Sequence, residues 1–143
     1  MNFLELAKER YSCRRFSTKE VEKEQLEKLK CCTPYGWNAP VIMIIFYDKS
    51  ISYKRDSYDN KEFGDIDASI VTTHMMLEAQ DLGLRTTWIG AFDPEKLIEA
   101  YKVPQNLIPV AILPIGYPSE EAKPSRLHYE RNEVNEFVYW NEI

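Results

Sequence analysis

Arg10, Ser12 and Arg14 occupy alternate positions of the segment RYSCRRFS, residues 10–17, within a chain that is acidic overall. In an extended backbone successive side chains point to opposite sides, so these three would share one face as guanidinium, hydroxyl, guanidinium. That trio suits a phosphate monoester, because arginine offers a fork of N–H donors and serine adds another. The spacing alone leaves a second reading open, a solvated basic turn that neutralises Glu5 and Glu9. A further candidate is TTWIGAFDP, residues 86–94, which sets Trp88, Ile89 and Gly90 at a strand end just before a helix start. Glycine there permits close approach of a flat ligand, and peptide N–H groups can donate to it. An ordinary strand-to-helix turn would carry the same letters.

Other reactive side chains argue for packing instead. His74 and Glu78 stand four apart on a helix, but one histidine and one carboxylate do not complete a metal site. Cys31 and Cys32 adjoin, and a disulfide between neighbours is strained, so structural thiols are expected. Neither glycine-rich phosphate motif occurs, and the two histidines, His74 and His128, build no Ser-His-Asp order. No metal ligand set is expected, and a hydrolase reading has no support.

The elements that must position these groups follow from periodicity. Asn2 and Glu5 form a capping box for a short helix over about residues 3–10. Ser17 and Glu20 form a second one ahead of VEKEQLEKLKCC, a helix with Val21, Leu26 and Leu29 on one side. VIMIIFY, residues 41–47, reads as a strand buried on both faces, and DKSISYKRDSYDN as a surface loop. From Asp65 to Leu82 the pattern is helical, with Ile66, Ile70, Thr73 and Leu77 on the apolar side, widened by Met76 and Ala79, and Gly83 as the stop. RTTWIG is a short strand, Asp93-Pro94 opens the helix PEKLIEAYKV, and IPVAILPIGYP is a second buried strand. EFVYW in the tail is apolar enough for a last strand. The tail as a whole, after the polar stretch SEEAKPSRLHYERNE, looks shaped to reach a second subunit. Helices with separate buried strands predict an α+β class.

Composition narrows the partners. Eighteen basic against 23 acidic residues give a net charge of −5, so no nucleic-acid surface is expected. A 44% hydrophobic and 29% charged chain of 143 residues suits one soluble domain, residues 1–143. The longest apolar run, at 41–47, is too short to span a membrane, and the acidic start MNFLELAKER is unlike a signal peptide. Three cysteines without a CxxC pair make a poor disulfide framework, and a cytoplasmic location is expected.

In their order, ERYSCRRFS, NAPVIMIIFYDK, DIDASIVTTHMMLEAQDLGLRTTWIGAFDPEKL and LPIGYPSEEAKPS resemble the nitroreductase family of FMN-dependent oxidoreductases, as does the basic-then-aromatic tail. The resemblance covers nearly all of the chain. It implies a central mixed sheet flanked by helices, in an interlocked homodimer with FMN at the interface and the tail from about residue 119 to 143 extended over the partner. It also implies electron transfer from NAD(P)H through the flavin to a small flat acceptor such as a nitroaromatic or quinone, with the chemistry borne by the flavin. By position, Arg10, Tyr11, Ser12 and Arg14 are similar to the segment that holds the ribityl phosphate. Trp88, Ile89 and Gly90 are similar to the backbone beside the isoalloxazine ring, where a donor N–H stabilises charge arriving near N5 or O4. Arg131, in HYERNE, is similar in position to a tail basic residue that reaches the phosphate, although Tyr129 and Glu130 beside it are less basic than the family pattern. PYGWNAP and the loop tyrosines Tyr53 and Tyr58 either border the open face and stack on flat substrates or are ordinary packing and surface aromatics.

The chain departs from the family pattern in one place. A segment with proline, serine or threonine, asparagine and glutamine, followed by a strand, lines the flavin in the family. Here VEKEQLEKLKCCTPYGWNAP runs straight on, so a few dozen residues are missing, with the join in EQLEKLK. Two other readings follow from that departure: a non-catalytic flavin- or ligand-binding dimer, and a structural dimer that has lost its cofactor.

Overall fold

The apolar run LIPVAILPIG becomes the middle strand of the sheet, with a backbone partner on each side of it. The computed structural model describes residues 2–17, 31–35 and 38–141. The order of elements is α1 (Phe3–Glu9), β1 (Val41–Asp48), α2 (Gly64–Asp81), β2 (Arg85–Thr86), α3 (Pro94–Tyr101) and β3 (Leu107–Gly116). Two single 3-10 turns follow, at Arg126–His128 and Val134–Glu136. Helices and a sheet give the α+β class expected. The helix expected over VEKEQLEKLKCC and the join in EQLEKLK lie outside the described residues, except for Cys31 and Cys32.

The sheet order is β1-β3-β2, with both pairings antiparallel. β1 meets β3 from Val41 opposite Ile115 to Asp48 opposite Leu107, with a register shift between Ile45 and Phe46. Burial on both faces holds for β3, whose Ala111, Ile112 and Leu113 have no exposed surface. It does not hold for β1, an edge strand that leaves Val41 49% and Met43 38% exposed. RTTWIG was expected as one strand, yet only Arg85 and Thr86 form it, with an isolated pairing of Ile89 to Ile112 beyond. The cause lies in β3. The register that pairs Thr86 with Ile115 and Ile89 with Ile112 sets Thr87 opposite Pro114, which has no N–H to donate.

Outside β2 the arginine segment forms a further edge. Ser12 bridges Thr86 in parallel, and the Cys13 N–H donates to the Thr86 carbonyl at 2.9 Å. The mixed character expected of the sheet is confined to this bridge among the described residues. Phe16 then pairs antiparallel with Pro118, and the Ser17 N–H donates to the Tyr117 carbonyl at 3.0 Å.

α1 has the expected capping box, with the Glu5 N–H donating to Asn2 Oδ1 at 3.0 Å, but buries none of its residues. α2 ends as expected at Gly83, whose φ of 78° is left-handed, and the Leu84 N–H closes back on Ala79 at 2.8 Å. Its inward side keeps the expected Met76 and Ala79 but not Ile66 or Ile70. Gly64, Thr72, Met76, Ala79 and Gln80 are buried, whereas Ile66, Ile70 and Val71 are 38%, 52% and 58% exposed. The helix is apolar on more than one side, so periodicity does not choose a face. Small residues choose it, since Gly64 sits against the Tyr47 ring with no room for a Cβ. The tail residues EFVYW form no strand and leave Phe137 59% and Trp140 81% exposed. A strand needs a ladder partner, and the described residues of this chain supply none. No helix among the described residues is long and apolar enough to cross a membrane.

Two core clusters hold the frame. Cys32, Ile89, Leu97 and Ile112 pack between α3 and the sheet, and Cys13, Phe16 and Ala39 pack under the arginine segment. Gly116 closes the second, because a Cβ there would enter the Pro40 ring and come within 3.1 Å of Phe16 Cδ1. Gly116→Ala therefore destabilises the chain by about 1–3 kcal/mol through overpacking. Urea unfolding measures it, and an unchanged midpoint would contradict this packing.

Candidate functional site

The chain leaves α1 at Arg10, which already has extended angles (φ −65°, ψ 123°), so the alternation expected of RYSCRRFS is realised in part. Cys13 and Phe16 turn into the core, and Arg14 and Arg15 turn out. Ser12 and Arg14 line a cleft of about 640 Å³ together with Arg15, Lys123, Ser125 and the carboxylates of Glu120 and Glu121. That volume lies within the range of small-ligand sites, roughly 300–1,000 Å³. The far wall comes from the chain after β3, which the Phe16–Pro118 bridge and a 3.1 Å bond from the Ser119 N–H to the Arg15 carbonyl draw across.

The cations of the cleft differ in their commitments. Arg15 Nη1 is paired with Glu121 Oε2 at 2.6 Å on open surface. Arg14 makes only a long contact, 3.4 Å, from Nη1 to the Ser12 carbonyl, and neither it nor Lys123 has an ion pair among the described residues. Two cations and two hydroxyls thus face one cleft, a donor set that fits a phosphate ester.

Of the other residues singled out from sequence, Arg10 and Tyr11 do not line the cleft. Tyr11 is half-buried, edge-on to His128 with ring centroids 6.3 Å apart and with the Arg85 guanidinium 5.7 Å over its ring. Burial, with the neighbouring Cys13, pushes its phenol up against the opposing pull of Arg85. Arg131 is also outside the cleft and donates from Nη1 to the Leu127 and Glu130 carbonyls at 3.1 and 2.6 Å. Lys123 and Ser125 went unnoticed in the sequence because nothing in SEEAKPS says that it folds back over Arg14. A pointer existed only in its place directly after a buried strand.

Trp88, Ile89 and Gly90 follow Thr86 along the same edge. The Ile89 N–H donates to the Ile112 carbonyl at 2.9 Å, so the sheet uses that donor. The Trp88 and Gly90 N–H groups make no bond among the described residues. Gly90 is exposed, and a Cβ there would meet nothing nearer than Trp88 Nε1 at 3.7 Å, so its outer side is open. The turn beyond is fixed from both sides: Thr33 Oγ1 donates to the Ala91 carbonyl at 3.0 Å, and Asp93 Oδ1 caps α3 by accepting from the Glu95 and Lys96 N–H groups at 3.1 Å. Tyr53 stacks on Phe63 at 5.3 Å and borders a separate, apolar groove of about 390 Å³ between β1 and α2. Tyr58 is 86% exposed, and neither tyrosine lines the cationic cleft.

The sequence pattern of the nitroreductase family matches residues 30–117. A relative in Methanothermobacter thermautotrophicus, provisionally named NADH dehydrogenase/NAD(P)H nitroreductase, is 31% identical over 122 residues. That match covers 76% of this chain and 61% of the relative, so the chain spans less than two thirds of that curated protein. A solved nitroreductase family protein from Clostridium difficile superposes with a TM-score of 0.86 at 34% identity, over 100% of both chains. A second Clostridium difficile structure, an FMN-dependent nitroreductase, shares the fold at a TM-score of 0.68 and 24% identity, covering 99% of this chain and 100% of that one. The chain belongs to the nitroreductase family.

The Lys96 N–H, joined by the Lys96 ammonium, holds the Asp93 carboxyl below its ordinary value. A depressed native pKa adds stability that is present above the unfolded carboxylate pKa, about 4, and is lost as pH falls through the folded one. Asp93→Asn is accordingly less stable than the parent at neutral pH, with the gap closing in acid. Thermal melts at neutral and strongly acidic pH test this, and a gap constant with pH would contradict it.

Proposed function

We propose that this chain binds FMN and passes electrons from NAD(P)H to a nitroaromatic, quinone or similar flat acceptor. The observation that supports this reading best is the convergence of Ser12, Arg14, Lys123 and Ser125 on one cleft, a few residues along the same edge from the open backbone at Gly90. From Thr86, which Ser12 bridges, to Gly90 is four residues, or about 13 Å of extended chain. A cofactor with a phosphate at one end and a flat ring at the other would span such an arrangement. The FMN-dependent relative and the NAD(P)H in the name of the archaeal relative favour the same cofactors.

In this reading Arg14 and Lys123 hold the phosphate charge, Ser12 and Ser125 add neutral donors, and Arg15 stays with Glu121. Trp88 flanks the ring, Ile89 fixes the strand beneath it through Ile112, and the Gly90 N–H is left to donate to the flavin edge. FMN, when bound, supplies the hydride and electron chemistry. The protein orients it and stabilises negative charge on its ring, so no side chain need transfer a proton. Arg10 and Arg131 have their place in this scheme only at longer reach, or from a second subunit.

The same reading includes a homodimer. Large apolar side chains lie open on α1 (Phe3, Leu4), on α2 (Ile66, Ile70, Val71) and along the tail (Phe137, Trp140), and such exposed faces suit a second subunit. Ile70→Asp, at a half-exposed position, leaves the protomer folded and shifts the protein to monomer in size-exclusion chromatography with light scattering. A dimer that persists would count against that face.

Arg14→Ala weakens FMN binding by about 1.5–3 kcal/mol, the scale of a charge-assisted hydrogen bond, and Lys123→Ala weakens it in the same direction. Flavin fluorescence titration reads both. Unchanged affinity in both variants would sink the phosphate assignment, and FMN bound without NAD(P)H oxidation in the presence of quinone or nitroaromatic would favour a non-catalytic binder.

A further inference from the structure

Cys31 and Cys32 have no role in the flavin reading, yet their geometry is specific. Neighbouring side chains diverge in extended chain, but residues 31 and 32 lie in a turn that brings their Sγ atoms to 3.3 Å. The turn is anchored from Cys32 onward. Cys32 is 4% exposed and packs with Ile89, Leu97 and Ile112. Its carbonyl accepts from the Asp93 N–H at 2.8 Å, and the next residue, Thr33, donates to Ala91. Cys31 is exposed. The pair therefore has one sulfur open to solvent and one held in place beside it.

We propose that Cys31 and Cys32 form a chelating site for trivalent organoarsenicals and chemically equivalent soft, three-coordinate species. A direct disulfide fits poorly, because adjacent Cα atoms are about 3.8 Å apart and disulfides ordinarily need about 4.4–6.8 Å. A bridging atom has no such demand. With bonds to sulfur of about 2.3 Å, the zinc–thiolate length, sulfurs 3.3 Å apart subtend an angle of roughly 90° at the bridging atom. That angle is narrower than a tetrahedral zinc site needs and matches a pyramidal trivalent centre. The described residues contain no cluster of three or more Cys, His, Asp or Glu, so a species that brings its own third substituent suits the pair better than a bare metal ion.

With an arsine oxide the step balances without any redox change. Two S–H bonds and the As–O double bond break, two As–S bonds form, and both protons leave with the oxygen as water. Exposed Cys31 makes the first bond, and Cys32, already alongside, closes the ring as an intramolecular step. Burial and the Cys31 sulfur push the Cys32 thiol up to about 12, so its proton is in place to depart with the oxide. This inference is independent of the FMN reading.

The test is phenylarsine oxide added to the purified 143-residue chain, read by intact-mass spectrometry with circular dichroism as a check on folding. One phenylarsine per chain is expected, resistant to excess glutathione and removed by the dithiol 2,3-dimercaptopropanol. Cys31→Ser, at an exposed position, is expected to stay folded and lose the glutathione-resistant adduct. Cys13→Ser, which leaves the pair intact, is expected to keep it. An adduct that survives in folded Cys31→Ser, or a native wild-type chain that takes up no arsenical, would overturn the proposal.

Discussion

The backbone pairing of residues 12–17 along the outer side of the sheet is the constraint on which the candidate site depends. Hydrogen bonds from Cys13 to Thr86 and from Ser17 to Tyr117 fix its two ends, each contributing about 0.5–1.5 kcal/mol net. Burial of Phe16 contributes about 1.5–3 kcal/mol, as much as the two bonds together, so the core clamp under the segment matters as much as the ladder above it. The exposed Arg15–Glu121 pair adds at most about 1 kcal/mol. With Cys13 and Phe16 held inward, Ser12 and Arg14 have no choice but to face the cleft, and the same pairing draws Lys123 and Ser125 over them. The cationic face is thus a by-product of apolar anchoring. Glu121 tempers it by engaging Arg15 and leaves Arg14 and Lys123 to a ligand.

The second half of the site depends on a proline. Pro114 interrupts the ladder opposite Thr87, which ends β2 early and frees the chain to turn outward at Trp88 and Gly90, while the Ile89–Ile112 exchange pins it again one step later. The exchange of both backbone bonds between Ile89 and Ile112 turns the Trp88 and Gly90 N–H groups away from β3, toward the outer edge. α3 then begins on the Asp93 cap, so a single short stretch contains the strand end, the open glycine and the helix start.

Local signals were readable where the physics is local. The capping box at Asn2, the cap at Asp93, the Gly83 stop and the alternation of Ser12 and Arg14 all rest on near neighbours, and they appear where the letters put them, while the box expected at Ser17 and Glu20 lies outside the described residues. What depends on distant partners was not readable. Of the inward face of α2 only Met76 and Ala79 are legible, because several of its sides are apolar and the contact between Gly64 and Tyr47 depends on a distant partner. The short β2 could be anticipated only once its register against Pro114 was known, and the tail strand fails because a ladder partner is absent among the described residues. Lys123 joins the cleft through chain reversal after β3, which no spacing encodes. Family membership was legible in the order of several weak segments, whereas the reach of Arg10 and Arg131 toward a phosphate was not settled by position alone.

The central claim is that the cleft and the Gly90 edge together hold FMN. The most direct measurement is the visible absorbance spectrum of the purified protein after incubation with FMN and desalting. The account predicts retained flavin bands at close to one FMN per chain, displaced by no more than excess free flavin. A colourless protein after reconstitution would contradict it and leave a family fold without its cofactor.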